Sequence, residues 1–407
     1  MSEPRVITGI DIGTTRIRTM IAEADENGLL VFLGCGTHAA EGLRRGVVIN
    51  MEKTVQAISR AVEDAEIMAS AHITSAVAGI AGDHIKSINS QGVIAVSRSD
   101  NEIGEKDVNK VIEAARAVAI PADREIIHVI PQEFAIDEQG GIKNPVGMTG
   151  VRLEVEVHIA TAAVTSARNI YRSLERCEIG VEHLVLQSLA SAASALSAGE
   201  EEMGVVLIDV GGELTDVAVF YDGSIRHTGV VSLGGRNVTN DIAIGLRTSV
   251  HKAEQLKLSY GSALSSMVDP DEMMEVPAAA SGKSRPISRS VLAAIIEPRM
   301  EEILSLVGRE IKKANPPEAL ASGAILTGGG AMLPNTVELA EQILDMPVKM
   351  GSPSGLEDLP ANFATPEYAT VIGLLDYGYK HGPGSESRKG GVRGLLGRLE
   401  KWISNNF

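Results

Sequence analysis

An Asp-x-Gly pattern at the tip of a predicted β-hairpin is the first feature of this sequence that suggests chemistry. The run RVITGIDIGTTRIRTMIAE, residues 5–23, has β-branched residues on both sides of Gly-Thr-Thr, which predicts two strands joined by a tight turn. An ordinary turn needs no carboxylate next to it, whereas Asp11 is suited to hold a hydrated cation. Gly13 permits close backbone approach, and Thr14 and Thr15 add donors. The pattern predicts a turn that binds nucleotide phosphates with Mg²⁺; a structural hairpin is the alternative.

A second copy of this pattern lies about half a chain further on. The run GVVLIDVGGELTDVAVF, residues 204–220, repeats the β-run, Asp-x-Gly, small polar turn and β-run. Two such hairpins predict a duplicated domain, each half of which offers one phosphate-binding turn and one carboxylate to a polyphosphate in the cleft between them. The residues of the second copy are Asp209, Gly211, Gly212, Thr215 and Asp216.

A run of three glycines forms the third motif. In GAILTGGGAMLPN, residues 323–335, a short β-run precedes Gly328, Gly329 and Gly330, and a helical pattern follows. These glycines permit close backbone approach to a flat or anionic group near a helix start, although a plain strand-to-helix turn has the same sequence. The three motifs in this order are far more specific than any one of them.

A competing glycine pattern is weaker. GCGTHA, residues 34–39, matches G-x-G-x-x-A of dinucleotide-binding folds, but it lies in the third strand-like run and no convincing amphipathic helix follows. One predicted helix places a polar residue near the expected cleft, and another carries a charged pair on one face. The pattern of residues 181–196 predicts a small-residue helix with Gln187, and Glu254 and Lys257 fall three apart on another helix, a spacing that a solvated charged face shares.

Length and composition exclude several classes of protein. A chain of 407 residues with 44% apolar residues allows two or three domains, and a net charge of −16 argues against a nucleic-acid partner. Cys35 and Cys177 lack CxxC spacing and no basic-then-apolar leader is present, so a reducing cytosol is expected. No apolar run reaches the roughly 20 residues that span a bilayer. The His residues form no metal-ligand motif, and His128 and His158 are predicted packing residues.

The remaining segments indicate an insertion and a distinct C-terminal tail. Residues 83–160 interrupt the duplication and predict strand, helix (105–118) and three strands, a small α+β domain. Gly, Pro, Ser and charge after Tyr379 predict a mobile linker. The final VRGLLGRLEKWISNNF predicts a basic amphipathic helix that lies in an anionic membrane interface, or that docks on its own domain or a partner. The membrane-binding residues expected there are Arg393, Leu395, Leu396, Leu399, Trp402, Ile403 and Phe407.

The ordered motifs resemble the actin, Hsp70 and sugar-kinase superfamily of ATP-binding proteins. Within it, residues 128–159, residues 287–303 and the terminal WISNNF are similar to the FtsA family of bacterial cell-division proteins, and the resemblance covers essentially the whole chain. It implies an α/β, actin-like duplicated fold with subdomains 1A, 2A and 2B, an inserted α+β 1C (SHS2-like) subdomain instead of actin's 1B, and a C-terminal amphipathic helix. The implied boundaries are 5–82 with 161–200 (1A), 83–160 (1C), 201–240 with 300–379 (2A), 241–299 (2B), 380–391 (linker) and 392–407 (helix).

The resemblance also implies roles for individual residues toward ATP and Mg²⁺. It places Asp11 and Asp209 at the metal and Gln187 beside a hydrolytic water, with slow or absent turnover. Glu213 departs from the third Gly of many relatives, and a carboxylate at that turn is expected to narrow the site or add unfavourable charge. The implied cofactor-binding set is Asp11, Gly13, Thr14, Thr15, Arg16, Asp209, Gly211, Gly212, Glu213, Thr215, Asp216, Glu254, Lys257, Gly328, Gly329 and Gly330.

The role implied by the resemblance is a peripheral protein of the cell inner membrane at the division septum. Such a protein polymerises into actin-like filaments, tethers FtsZ through the FtsZ C-terminal peptide and recruits later divisome membrane proteins. FtsZ binding is expected on residues 241–309, with Arg289, Arg299 and Glu302 as candidate contacts, and self-association on the insert. The alternatives are a sugar or acetate kinase, a PilM-type pilus-assembly protein, and an Hsp70-like chaperone, for which too little chain follows Tyr379.

Overall fold

The strands and helices of this chain form two large sheets, one smaller inserted sheet and the helices that cover them. The computed structural model describes residues 5–25, 29–97, 100–277, 284–316 and 320–382; the predicted membrane helix and most of the predicted linker lie outside them. The strands are β1 (Arg5–Ile12), β2 (Arg16–Ala24), β3 (Leu30–Ala39), β4 (Leu43–Arg44), β5 (Val47–Val48), β6 (Ser75–Ile80), β7 (Lys86–Ala95), β8 (Arg124–Ile136), β9 (Gln139–Ile142), β10 (Arg152–Ala163), β11 (Gly180–Leu186), β12 (Val205–Val210), β13 (Thr215–Tyr221), β14 (Ser224–Val231), β15 (Met273–Pro277), β16 (Ser284–Ser288), β17 (Ala324–Thr327) and β18 (Val348–Met350). The helices are α1 (Met51–Ala69), α2 (Glu105–Arg116), α3 (Val164–Glu175), α4 (Gln187–Ala195), α5 (Ala198–Met203), α6 (Gly235–Gly245), α7 (Val250–Tyr260), α8 (Arg289–Lys313), α9 (Thr336–Leu344) and α10 (Ala369–His381).

The two large sheets repeat one arrangement of five strands. The first sheet has the order β3-β2-β1-β6-β11 and the second has the order β14-β13-β12-β17-β18. In each, three antiparallel strands from two consecutive hairpins are extended by two parallel strands. Helices cover both faces, which explains why strands such as β12 are buried along their whole length. The predicted duplication is confirmed by this match.

The register of the two hairpins places corresponding residues opposite one another. Asp11 of β1 pairs with Arg18 of β2, and Asp209 of β12 pairs with Asp216 of β13, each partner seven positions further along the chain. The first hairpin therefore sets a carboxylate against a guanidinium, whereas the second sets two carboxylates side by side. This difference between the copies determines the charge of the cleft.

The inserted segment has its own core. Its sheet has the antiparallel order β7-β10-β8-β9, and α2 packs on it through Val108, Val111 and Ile112 against Leu153 and Phe134. The predicted sequence of one strand, one helix and three strands is confirmed, with the helix ending at Arg116 rather than residue 118. No helix within the described ranges is long and apolar enough to cross a bilayer.

Three predictions about local structure were wrong. Residues 181–186 of the predicted 181–196 helix belong to β11, because their backbone pairs in parallel with β6, and the helix begins only at Gln187. Helix α9 begins at Thr336, so the three glycines lie in a turn well before it rather than at a helix start. The last helix, α10, reaches His381 and overlaps the predicted start of the linker.

The Gly-x-Gly pattern of residues 34–39 lies inside β3 and forms no phosphate-binding turn. Helix α1 crosses this strand so closely that a Cβ on Gly36 would lie 1.9 Å from the Ala61 oxygen and one on Gly34 would lie 2.7 Å from the Ala65 oxygen. These glycines therefore permit helix packing, which a single sequence does not distinguish from a nucleotide fingerprint.

The predicted close packing of the small-residue helix is present. Helix α4 crosses α10 where a Cβ on Gly373 would lie 1.7 Å from the Ala190 oxygen. Through Leu189, α4 contacts the cores of both large sheets. Its N-terminal residues are thereby held at the junction of the two sheets.

Candidate functional site

The tips of the two hairpins meet each other. We call residues 13–15 the first turn and residues 211–214 the second turn. The Glu213 amide donates to Thr14 Oγ1 at 3.1 Å, and a Cβ on Gly212 would lie 2.2 Å from Thr15 Cγ2. Gly212 is therefore required by close approach between the turns. The structure brings both predicted phosphate-binding turns to one cleft.

Three buried carboxylates lie beneath these turns and form what we call the carboxylate cluster: Asp11, Asp209 and Asp216. Asp11 accepts a 2.8 Å hydrogen bond from Gln187 Nε2 and lies 3.6 Å from an Arg18 nitrogen. Asp209 accepts hydrogen bonds from Ser191 Oγ at 2.6 Å and from Thr370 Oγ1 at 3.2 Å. Gln187 and Ser191 both come from α4, whose position at the sheet junction sets these contacts.

Burial disfavours the charged form of all three carboxylates in the cluster. Burial raises the pKa of Asp11 to about 7, against the Arg18 charge and with help from Asp209. Burial also raises the pKa of Asp209, although Ser191 opposes the shift, and it raises the pKa of Asp216 well above its usual value together with the other two carboxylates. Within the described residues, Asp216 Oδ1 is buried without a hydrogen-bond partner. Such a cluster is suited to a bound cation.

The cation that reaches the cluster is Arg18, a residue outside the predicted cofactor-binding set, while the cofactor-binding role of Arg16 stays a prediction. Arg16 is exposed where β2 begins, whereas Arg18 is buried opposite Asp11. Arg18 also pairs with Glu367, and its guanidinium lies 5.1 Å from the centre of the Tyr368 ring. In the folded hairpin, Ile12 pairs with Ile17 and four residues lie between them, which places Asp11 opposite Arg18. The three-residue Gly-Thr-Thr turn expected from the sequence would have placed Asp11 opposite Ile17.

The glycine turn lies against the carboxyl end of β12. Gly328 has a φ of +84°, and a Cβ there would lie 2.3 Å from Asp209 Oδ1. The Gly330 amide donates to the Val210 oxygen at 2.7 Å, which fixes the turn beside the cluster. Only glycine satisfies both the backbone conformation and the space at Gly328.

The Glu254 and Lys257 pair belongs to the same cleft. Lys257 Nζ lies 2.8 Å from Glu254 and donates to the Gly235 oxygen at 3.0 Å. A Cβ on Gly235 would in turn lie 3.8 Å from Gly330 Cα. Because the Lys257 side chain is only 13% exposed, the interpretation as a solvated charged face was wrong for it.

Two predicted residues are used differently from the expectation. Thr215 is buried, and its hydroxyl donates to the Leu233 oxygen at 2.9 Å, so the structure does not bring it to the cleft surface. The Glu213 carboxylate accepts from the Arg45 amide at 2.7 Å and pairs with Arg236 at 3.4 Å. The negative charge that was expected to disfavour phosphate is therefore partly compensated.

The three candidate contacts on α8 form ion pairs away from the cleft. Arg289 pairs with Glu272 at 2.7 Å, and Arg299 pairs with Asp241 at 2.6 Å and with Glu302. Apolar side chains on the neighbouring helices are exposed, including Ile244 at 76% and Leu258 at 71%. This surface is thus a mixture of paired charges and exposed apolar groups.

A cavity of about 710 Å³ lies elsewhere, between β8, β11 and α10. No residue of the two turns or of the carboxylate cluster lines it. Its histidines take part in ring contacts, such as the stacking of Tyr377 on His381 at 4.1 Å. The cleft is therefore identified by converging polar groups rather than by volume.

As predicted, His128 and His158 have partners: Leu186 N donates to His128 at 3.0 Å, and His158 bonds to Asn89 at 2.8 Å.

The architecture is that of an actin-like protein. A chain of the PilM-PilN type IV pilus biogenesis complex matches with a TM-score of 0.67 at 16% identity, covering 92% of this chain and 98% of that one. MreB 5 of Spiroplasma citri bound to AMPPNP matches with a TM-score of 0.56 at 15% identity, covering 99% of both chains. At these identities the matches define the fold, two related halves around a cleft, and nothing more.

The family is shown by the sequence comparisons. The family model "Cell division protein FtsA" matches residues 206–373, and "SHS2 domain inserted in FTSA" matches residues 82–161. Cell division protein FtsA of Pseudomonas aeruginosa is 41% identical over 99% of this chain and 98% of its own length. The chain belongs to the FtsA family of actin-like cell-division proteins. The predicted family and fold class are confirmed, in preference to the PilM-type and kinase alternatives.

Proposed function

We propose that the cleft binds ATP with Mg²⁺ and that the bound nucleotide controls assembly of this protein into filaments that anchor FtsZ to the inner membrane. The observation that carries the proposal is the convergence of two phosphate-binding turns on the carboxylate cluster, which the protein itself leaves incompletely compensated. The subdomain boundaries and the later divisome partners stay predictions. The direct test is equilibrium binding of labelled ATP to the wild type and to variants of the cluster.

The residues of the cleft fit a magnesium nucleotide. Within the described residues, no group of three or more His, Cys, Asp and Glu side chains is arranged to hold a metal alone, which favours contact through water and phosphate. Asp11 and Asp209 would hold this hydrated ion, and its charge would neutralise the cluster and the phosphates. Gln187, fixed 2.8 Å from Asp11, stays the proposed residue for orienting a hydrolytic water. The amides of the two turns would bind the phosphates.

The adenosine end fits the wall made by the glycine turn and α7. The Gly330 backbone lies beside Gly235, and Lys257 binds the Gly235 oxygen at 3.0 Å. A wall of backbone without side chains accepts a flat base, while Glu254 and Lys257 provide polar contacts for ribose and base. Arg18 adds a buried positive charge opposite Asp11.

FtsZ binding is proposed on residues 241–309. Exposed Ile244 and Leu258 offer apolar contact area, and the α8 charges offer pairing for a mixed acidic and apolar peptide. We expect a variant with Ile244→Glu and Leu258→Glu to bind a labelled FtsZ C-terminal peptide about tenfold or more weakly in fluorescence anisotropy, because charge replaces apolar contact.

A second variant tests the charged contacts separately. Charge reversal at Arg289, Arg299 and Glu302 together should also weaken binding of the peptide, and unchanged affinity would remove these three from the site. Glu63→Lys, an exposed change on α1 outside residues 241–309, is the matched control. Wild-type affinity in the Ile244 and Leu258 variant would contradict an apolar docking surface here.

Membrane attachment is proposed for residues 392–407, which lie outside the described residues. Burying each apolar side chain contributes on the order of 1.5–3 kcal/mol at most, and each Lys or Arg near an anionic surface adds about 1 kcal/mol. One tail should bind reversibly, and filaments should bind stably because many tails share one surface. Trp402→Glu should therefore release the protein from anionic vesicles in sedimentation with ATP. Raised salt should weaken wild-type binding only partly.

The matched control for the tail is Ser404→Glu, which adds the same charge without removing an apolar anchor. It should retain most of the vesicle binding. If Trp402→Glu pelleted as the wild type does, the tail would be a docking helix for this chain or for a partner. ATP binding should be unchanged in both variants.

A further inference from the structure

Glu213 is bonded to the other half of the molecule through both its backbone and its side chain. Its amide donates to Thr14 Oγ1 at 3.1 Å, and its carboxylate accepts from the Arg45 amide at 2.7 Å. The Glu213 side chain is 16% exposed, and its bond to the backbone of the exposed Arg45 lies at the protein surface. Arg236 also pairs with it but is half exposed, so this ion pair adds little. Arg236 lies in the same half of the chain as Glu213, so of these two side-chain contacts the bond to the Arg45 amide is the one that crosses the cleft.

Arg45 lies in a tight turn between β4 and β5. Its φ is +47° and that of Gly46 is +77°, so the turn has a defined left-handed backbone at both positions. A carboxylate bonded to the Arg45 amide stabilises this backbone directly. Loss of the acceptor would leave the amide to water and allow the turn to relax.

The same turn is packed against the segment that enters the inserted domain. A Cβ on Gly46 would lie 2.2 Å from the Ala81 oxygen and 2.6 Å from Gly82 Cα. Gly82 has a φ of +153°, at the point where the chain leaves the first sheet. Backbone so closely packed transmits a displacement of the turn to residues 81–82.

The entering and leaving segments of the insert are bound to each other. Arg124, the first residue of β8, donates to the His84 oxygen at 2.7 Å and to the Thr161 oxygen at 2.9 Å. The Ile85 amide closes a turn on the Gly82 oxygen at 3.0 Å. The two connections of the insert are therefore joined to each other next to Gly82.

We propose that Glu213 is a positioning residue that couples closure of the cleft to the hinge of the inserted domain, through Arg45, Gly46 and Gly82. This rests on the proposed binding of nucleotide between the two turns. With the turns together, the carboxylate bond is made and the hinge is held; with the turns apart, the bond breaks and the hinge is released. The bond thus gives the insert two states that closure of the cleft selects.

Hydrogen–deuterium exchange of the full chain tests this coupling. Without nucleotide, Glu213→Ala should speed exchange about tenfold or more at the amides of residues 45–46 and 82–85, because the carboxylate no longer stabilises the turn. Glu213→Gln retains an oxygen acceptor for the Arg45 amide and should stay near the wild type. Glu301→Ala, an exposed change on α8, controls for loss of a carboxylate elsewhere.

The outcomes are distinct for the coupling and for nucleotide binding. Wild-type exchange at residues 45–46 and 82–85 in Glu213→Ala would overturn the coupling, with or without nucleotide. Faster exchange at 45–46 with none at 82–85 would also overturn it, since the turn would then move alone. Protection of residues 209–216 by ATP with Mg²⁺ in the wild type is read separately, and its absence would count against the proposed nucleotide site.

Discussion

Replacing Asp209 with alanine is expected to weaken binding of Mg²⁺ and ATP about a hundredfold or more, which corresponds to about 2.8 kcal/mol. The change removes one of the two carboxylates proposed to face the metal. It also leaves the hydroxyls of Ser191 and Thr370, which donate to Asp209 at 2.6 and 3.2 Å, without their acceptor. Equilibrium titration with labelled ATP, in the presence and absence of Mg²⁺, measures the effect.

A control variant and a second cleft variant accompany the Asp209→Ala measurement. Asp271→Ala removes an exposed carboxylate outside the cleft and should bind ATP as the wild type does. Gly13→Val should also abolish binding, because even a Cβ would lie 2.7 Å from the Arg16 oxygen and the larger side chain fills space needed by phosphate. Wild-type affinity in both Asp209→Ala and Gly13→Val would contradict the assignment of the cleft.

The second large effect is expected on the pH dependence of stability without nucleotide. Burial raises the pKa of Asp11 to about 7 from its usual 3.8, so the folded protein keeps a proton that the unfolded chain releases. Stability from this group is present at low pH and is lost as the pH rises toward 7. Between pH 5 and pH 8 we expect Asp11 to cost the wild type about 2 kcal/mol of unfolding free energy.

The Asp11→Asn variant tests this contribution, together with the effect of Asp11 on the pKa of the neighbouring Asp216. Denaturant unfolding at several pH values should show a smaller loss of stability from pH 5 to pH 8 than in the wild type. Burial lowers the pKa of His158 to about 3, so its contribution to stability has the opposite pH dependence. It is present in both the wild type and Asp11→Asn and does not affect their comparison. Mg²⁺ with ATP should stabilise the wild type more at pH 8 than at pH 6, since the cation favours the charged carboxylates. Identical pH slopes without nucleotide would contradict the raised pKa of Asp11.

Much of the local structure follows from neighbouring residues. Alternation and turn chemistry predicted both hairpins, and the insert's order of strand, helix and three strands was also readable. Residues 181–186 were misassigned because their strand conformation comes from parallel pairing with β6, a partner far away in sequence. The start of α9 was misplaced because the glycine turn is fixed by backbone contacts to β12.

The candidate site likewise contains residues that the sequence predicted and residues that only the structure revealed. Asp11, Asp209 and the two turns were found from their motifs because each motif is contiguous in sequence. Arg18 was not predicted, because the expected three-residue turn opposes Asp11 to Ile17 and only the observed four-residue loop opposes it to Arg18. Ser191 and Thr370 carry no motif, and only the crossing of α4 with α10 brings their hydroxyls to Asp209.

The sequence by itself determined the chemical groups, the two hairpins and the family, since these depend on residue types and on spacing along the chain. Only the tertiary structure decided which of those groups meet. It set the second turn against the first, left Asp216 buried beside two other carboxylates, and bonded Glu213 to a turn at the hinge of the insert. The physical reason is that charge compensation depends on distances between distant segments, and packing of the two sheets fixes those distances.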